Sequence, residues 1–205
     1  MIITVASFKG GVGKTTTAVH LAAYFQQLNK TILIDGDPNR SSTAWKARGL
    51  GLPFDVADEA MTAKVARAYE HLIIDTAARP DPDVLKVLAN GCDVLVIPTT
   101  CDGLSFDALM LTVEALQKVE ATRFRILLTM IPPKPSRDGE IARAALLEQG
   151  LPVFASSIRH LKAFKTAGTG GGIVTDVKDP RAQFGWEDYA AIGDELVAIA
   201  EAQAA

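Results

Sequence analysis

The stretch FKGGVGKTTT, from Phe8 to Thr17, arranges glycine, lysine and hydroxyl residues in an order suited to gripping a chain of phosphates. Without side chains on Gly10, Gly11 and Gly13, the backbone from Gly10 through Val12 to Gly13 can turn successive N–H groups around phosphate oxygens. Lys14 adds a charge able to reach the β- and γ-phosphates, and the Thr15 hydroxyl suits a Mg²⁺ ligand. Thr16 opens a helical segment, TTAVHLAAYFQQL, whose N-terminal dipole favours the same anion. The stretch reads as a nucleoside-triphosphate site. A Rossmann fingerprint fits worse, because Thr16 stands where its third glycine would fall.

Carboxylates stand where such a site needs them. An apolar run, TILID, leads into Asp35-Gly36-Asp37-Pro38-Asn39. A buried strand that ends in two carboxylates needs a cation or water facing them. One of the two has an alternative use as a capping or Asx-turn residue before the next helix. A second apolar run, HLIID, ends in Asp75, a carboxylate placed to hold Mg²⁺ directly or through water.

These groups must be positioned by a sheet. Apolar runs at 2–7, 31–36, 71–76, 93–98, 125–130 and 152–156 alternate with helical stretches near 16–28, 81–90, 103–120, 136–149 and 187–204. Alternation of this kind predicts an α/β fold, a mostly parallel twisted sheet with helices on both faces. Ligands in such sheets bind beyond the carboxyl ends of the strands, where every group named above lies. The length of 205 residues fits one domain spanning 1–205. Adenine is expected at the end of the 125–130 strand, against Met130 and Pro132.

The formal charge is −3, so affinity for nucleic acid must come from a local patch. One candidate is the run Arg159-His160-Leu161-Lys162-Ala163-Phe164-Lys165, followed by Arg181 before the last helix; the alternative for this cluster is a solvated helix face. Gly-rich 168–172 reads as a flexible turn. Cys92 and Cys101 are expected as reduced thiols. No apolar run reaches the ~20 residues needed to span a bilayer, and MIITVASFKGG carries no basic leader.

A P-loop of the ordinary kind would need glycine at position 8, where this chain has Phe8, and it carries Lys9 one residue later. K-G-G-x-G-K-[ST] resembles the deviant Walker A motif of the ParA/MinD superfamily of dimeric ATPases, which have the P-loop NTPase fold. The resemblance implies ATP and Mg²⁺ as ligands and an ATP-bridged homodimer in which Lys9 reaches the partner's nucleotide. It implies catalytic roles for Lys9, Lys14 and Asp37, with Asp37 orienting the attacking water. It places Thr15, Asp35, Asp37 and Asp75 around the metal and makes Thr76–Pro80 a switch loop.

The same resemblance implies non-specific DNA binding through Arg159, Lys162, Lys165 and Arg181. It also implies a small ParB-like adaptor and a cytoplasmic, nucleoid-associated location. IPTTCDGLSFDAL resembles the family's turn into an interface helix, with Cys101 and Ser105 as departures from its usual proline and aspartate. The C-terminal WEDYAAIGDELVAIAEAQAA carries five acidic residues and no lysine or arginine, which argues against a MinD-like membrane helix. With no segment ahead of the first strand, the likeness is to small ParA-type proteins without a helix-turn-helix domain. Two further readings, an iron–sulfur carrier and a non-enzymatic module, fit less well. Cys92 and Cys101 do not form a CxxC, and the ATP-site residues are all present.

Overall fold

The computed structural model describes residues 1–49 and 51–204. Six strands form one parallel sheet: β1 (Ile2–Ser7), β2 (Thr31–Gly36), β3 (Asp55–Asp58), β4 (His71–Ala78), β5 (Val94–Thr99) and β6 (Phe124–Leu128). Their spatial order is β3-β2-β4-β1-β5-β6, so the chain leaves β1 in one direction and later returns to its other side. That reversal opens a crevice at the carboxyl end of β1, where the glycine loop begins.

The strands are apolar along their length because both faces are covered. On β5, Val94 and Val96 join one core cluster while Leu95 and Ile97 join the other. The first cluster is closed by α1 (Lys14–Leu28) and by the long last helix, through Ala18, Phe25, Tyr189 and Leu196. The second is closed by α4 (Pro82–Asn90), α5 (Gly103–Lys118) and α6 (Asp138–Glu148), through Leu85, Leu116 and Leu146. The remaining helices are α2 (Ser41–Lys46), α3 (Thr62–Val65), α7 (Lys162–Gly170) and α8 (Ala182–Ala204).

The α/β expectation holds, with local corrections. The expected strand at 152–156 is a single bridge between Ile126 and Val153, flanked by Ile126 N–H to Pro152 O and Phe154 N–H to Ile126 O. Pro152 has no N–H with which to extend a ladder. Edge strand β3, sequence DVAD, lacks an apolar period and was not legible. The 168–172 glycines are not a free turn: α7 runs through Gly168 to Gly170, and a side chain on Gly168 would meet the Trp45 ring at 3.1 Å. Among the described residues, no helix is long and apolar enough to cross a membrane.

Candidate functional site

The glycine loop joins β1 to α1. Gly11 and Gly13 have φ of 78° and 88°, torsions that glycine alone adopts freely. Gly13 caps α1 with no side-chain hydrogen bond, and the first intrahelical bond runs from Thr17 N–H to Gly13 O at 2.8 Å. The amides of the first turn are therefore left for an external acceptor, which makes this helix end an anion site. A cleft of about 420 Å³ opens over it, lined by Gly10, Gly11, Gly13, Lys14, Thr15 and Thr16 from the loop side. Asp37, Asn39, Ser41, Ala78 and Met130 form its other walls.

Asp37 lies in this cleft. Its Oδ1 accepts hydrogen bonds from the backbone and side-chain nitrogens of Asn39, both at 3.0 Å, and its Oδ2 accepts one from the Ser41 hydroxyl at 2.9 Å. Asp75 lies deeper and is fully buried. Burial pushes its carboxyl up to about 6, opposed by the hydrogen bond from Ser42, the nearby Thr15 hydroxyl and the Lys14 charge. Burial likewise lowers the Lys14 ammonium from its ordinary value, against the pull of Asp75 and Asp37.

Asp35, which the resemblance implies lies around the metal, is engaged by α2. Its Oδ2 accepts from the Thr43 N–H at 2.8 Å and the Thr43 hydroxyl at 2.6 Å, and its Oδ1 from the Asp37 N–H at 3.3 Å. The capping role left open by the sequence is the one these hydrogen bonds describe.

The donor set fits a magnesium ion. Asp75 Oδ1 is buried and has no hydrogen-bond partner among the described residues, while Oδ2 accepts from Ser42 at 2.8 Å. A buried carboxylate oxygen left bare is costly, and a cation would relieve it. No group of three or more His, Cys, Asp or Glu side chains able to hold a metal occurs among the described residues. This sparse set suits Mg²⁺, which keeps waters and phosphate oxygens as ligands and needs one or two carboxylates from the protein.

A second cavity of about 440 Å³ shares Gly13, Thr16 and Met130 with the phosphate cleft and continues away from it, lined by Trp45, Ile158, Leu161, Phe164 and Tyr189 among others. Met130 sits at the junction with φ of 53° and 40 % exposure. Pro132 lines neither of these two cavities and lies with Ile131 along two neighbouring grooves.

Lys9 does not point into empty space. Its ammonium lies 2.9 Å from Asp102 Oδ1 and 2.7 Å from the Ser105 hydroxyl, at the start of α5. Thr100, Lys9 and Ser105 together hold the Asp102 carboxyl well below the usual carboxylate range. Behind the loop, the Phe8 carbonyl accepts from Arg79 Nε at 3.1 Å and the Ser7 carbonyl from Arg79 N–H at 3.1 Å, tying the expected switch loop to the glycine loop.

The basic residues divide. Lys162 and Lys165 are exposed on the first turns of α7. Arg181 is exposed, with Asp179 3.7 Å away. Arg159 is committed: its Nε and Nη2 bond both oxygens of Asp188 at 2.8 and 2.7 Å, and its N–H adds a third bond at 2.9 Å. Its guanidinium is paired within the fold while its side chain remains 45 % exposed. Ser41, Ser42, Thr43 and Asp102 were not singled out from sequence as site residues. The run of three hydroxyls four to six residues after Asp37 was the available signal.

Residues 3–172 match the family model described as the CobQ/CobB/MinD/ParA nucleotide binding domain. The chain is 32 % identical over 201 residues, 95 % of this chain and 93 % of the other, to Maintenance of carboxysome distribution protein A from Gloeobacter kilaueensis. Its fold is similar to an ATP complex of McdA from Cyanothece, with a TM-score of 0.73 and 19 % identity over 96 % of both chains. It is also similar to the septum site-determining protein MinD complexed with Mg-ADP from Pyrococcus horikoshii, with a TM-score of 0.68 and 16 % identity over 95 % of both chains. The chain belongs to the CobQ/CobB/MinD/ParA nucleotide-binding domain family.

Proposed function

We propose that this protein is a ParA-like positioning ATPase that binds ATP with Mg²⁺, pairs with a second copy, and distributes a cargo through cycles of assembly and hydrolysis. The observation that carries the reading is the joint placement of uncapped α1 amides, Lys14, Thr15 and Asp37 around one cleft. The triphosphate would lie across the α1 N-terminus, its charge met by backbone N–H groups and Lys14. Thr15 and Asp75 Oδ1 would hold Mg²⁺, which neutralises phosphate charge when bound. Asp37, with Asn39 and Ser41 fixing its two oxygens, would orient an attacking water. The base would enter the apolar cavity past Met130.

Lys9 would leave Asp102 and reach the partner's nucleotide when two copies meet. Lys162, Lys165 and Arg181 would then offer duplicated cationic patches to DNA phosphates, raising affinity through effective concentration rather than through net charge. Likeness to a protein named for carboxysome distribution favours a protein assembly as cargo, handed over by a small ParB-like adaptor. Multi-angle light scattering tests the pairing. Asp37→Ala should accumulate an ATP-dependent dimer, and Lys9→Ala should remain monomeric with nucleotide bound. A Lys9→Ala protein that pairs and hydrolyses as the parent does would refute the reading.

A further inference from the structure

Three consecutive side chains at the start of α2 each hold a different carboxylate of the site. The Ser41 hydroxyl donates to Asp37 at 2.9 Å, the Ser42 hydroxyl to Asp75 at 2.8 Å, and Thr43 twice to Asp35 at 2.8 and 2.6 Å. The other end of the same short segment holds α7. Trp45 Nε1–H donates to the Gly172 carbonyl at 2.9 Å, and the Arg48 guanidinium donates to the Gly168 carbonyl. The two backbones are in close contact there: a Cβ on Gly168 would lie 3.1 Å from the Trp45 ring, and one on Gly171 would lie 2.7 Å from the Trp45 carbonyl oxygen.

A helix of six residues has no stability of its own, so α2 sits wherever its attachments at the two ends place it. One set of attachments is electrostatic and must change when charge enters the cleft. Asp75 cannot serve a cation without altering the field at Ser42, and Asp37 cannot face a phosphate-bound water without altering its bonds to Asn39 and Ser41. The other set is a tryptophan ring, two carbonyls and two close glycine contacts, which transmit displacement because packed groups do not compress. The N-terminal turns of α7 bury Ala163 against Val174 and Ala182 and carry Lys162 and Lys165 on their exposed face.

We propose that α2 is a strut coupling the charge state of the nucleotide cleft to the setting of α7, with Trp45 and Arg48 as the positioning residues that make the connection. The inference rests on the nucleotide reading above and deepens it. It names the route by which an occupied cleft alters the lysine-bearing surface. Neither positioning residue touches the phosphates in this account. Trp45 and Arg48 line the apolar cavity as well, so a base seated there would press on the same connection.

Hydrogen exchange of the full-length protein, with and without a non-hydrolysable ATP analogue and Mg²⁺, separates the possibilities. In the parent, exchange should slow at residues 10–17 and change at 167–172, where the Gly171 and Gly172 amides bond the Ala167 carbonyl. Trp45→Phe keeps a ring but loses the indole N–H. Arg48→Met removes an exposed guanidinium and should fold normally. At an analogue concentration that restores full slowing at 10–17, each variant should lose most of the response at 167–172. A response at 167–172 that survives in both variants, or a parent whose α7 is indifferent while its loop is protected, would overturn the coupling. Absence of protection at 10–17 in the parent would overturn the nucleotide reading itself, and the coupling with it. A parent that shows the α7 response without affinity for DNA would leave the coupling standing and remove DNA as its output.

Discussion

The ammonium of Lys9 lies 2.9 Å from the carboxylate of Asp102, which caps α5 through Ser105 N–H, ninety-three residues later in the same chain. The lysine that the family likeness assigns to a partner's nucleotide is therefore held at home in the single chain. With Lys9 30 % and Asp102 52 % exposed, the pair is screened by water, and such pairs contribute about 0–1 kcal/mol. A contact with phosphate oxygens is stronger than that, so the pair can be exchanged rather than having to be broken.

Asp102→Asn should therefore favour assembly. It removes the competing charge, keeps the isosteric cap and leaves the phosphate loop intact. Sedimentation velocity with ATP and Mg²⁺ should show pairing at a lower protein concentration than for the parent. Pairing that is unchanged or weaker would mean that the Asp102 contact does not compete with assembly.

His20 makes stability depend on pH. It is fully buried, stacked on Tyr189, and its Nε2 accepts from Val174 N–H at 3.0 Å while Nδ1 bonds the Thr16 carbonyl at 2.7 Å. Those partners require the neutral ring with hydrogen on Nδ1. Burial lowers its pKa from 6.5 to about 4, outweighing the hydrogen bond to Thr16 and the attraction of Asp176. The unfolded chain then binds a proton that the folded chain refuses. The contribution is fully present above about 6.5 and is lost as pH falls toward 4, with a ceiling of roughly 3 kcal/mol. Urea unfolding at several pH values should show this decline, and His20→Gln should flatten it. A parent whose stability is constant from pH 6.5 to 4 would contradict the assignment.

Substitution separates the arginine that holds the fold from the cations that face solvent. Arg159→Ala leaves Asp188, 9 % exposed, without its bidentate partner and should cost about 1–3 kcal/mol. Lys162→Ala and Arg181→Ala should change stability by no more than about 0.5 kcal/mol. They should weaken DNA binding uniformly across unrelated sequences and reduce its dependence on salt. Thermal unfolding and fluorescence anisotropy at several salt concentrations measure the two effects. Equal loss of stability in all three variants would contradict the division.

The sequence disclosed most of the sheet, because strands buried on both faces are written as unbroken apolar runs, as in Val94–Thr99. It disclosed the phosphate loop because only glycine tolerates the torsions at positions 11 and 13. What it concealed are elements fixed by tertiary partners. Helix α2 is too short to leave a period and exists through its bonds to Asp35, Asp37 and Asp75. Helix α7 contains Gly168 and Gly170, residues that weaken an isolated helix, and here Gly168 admits the Trp45 ring. Arg159 reads as a free cation because its partner, Asp188, lies twenty-nine residues downstream on α8.

Isothermal titration of ATP in the presence of Mg²⁺ tests the central claim most directly. Lys14 is half-buried at the head of α1 and faces the cleft, so Lys14→Ala removes the one loop charge aimed at the β- and γ-phosphates while leaving the sheet untouched. The parent should bind one ATP per chain, and the variant should bind about 100-fold more weakly, the ~3 kcal/mol expected at the upper end for a charged hydrogen bond. Undiminished affinity in a Lys14→Ala protein that unfolds at the same temperature as the parent would contradict the nucleotide site, and with it the ATPase reading.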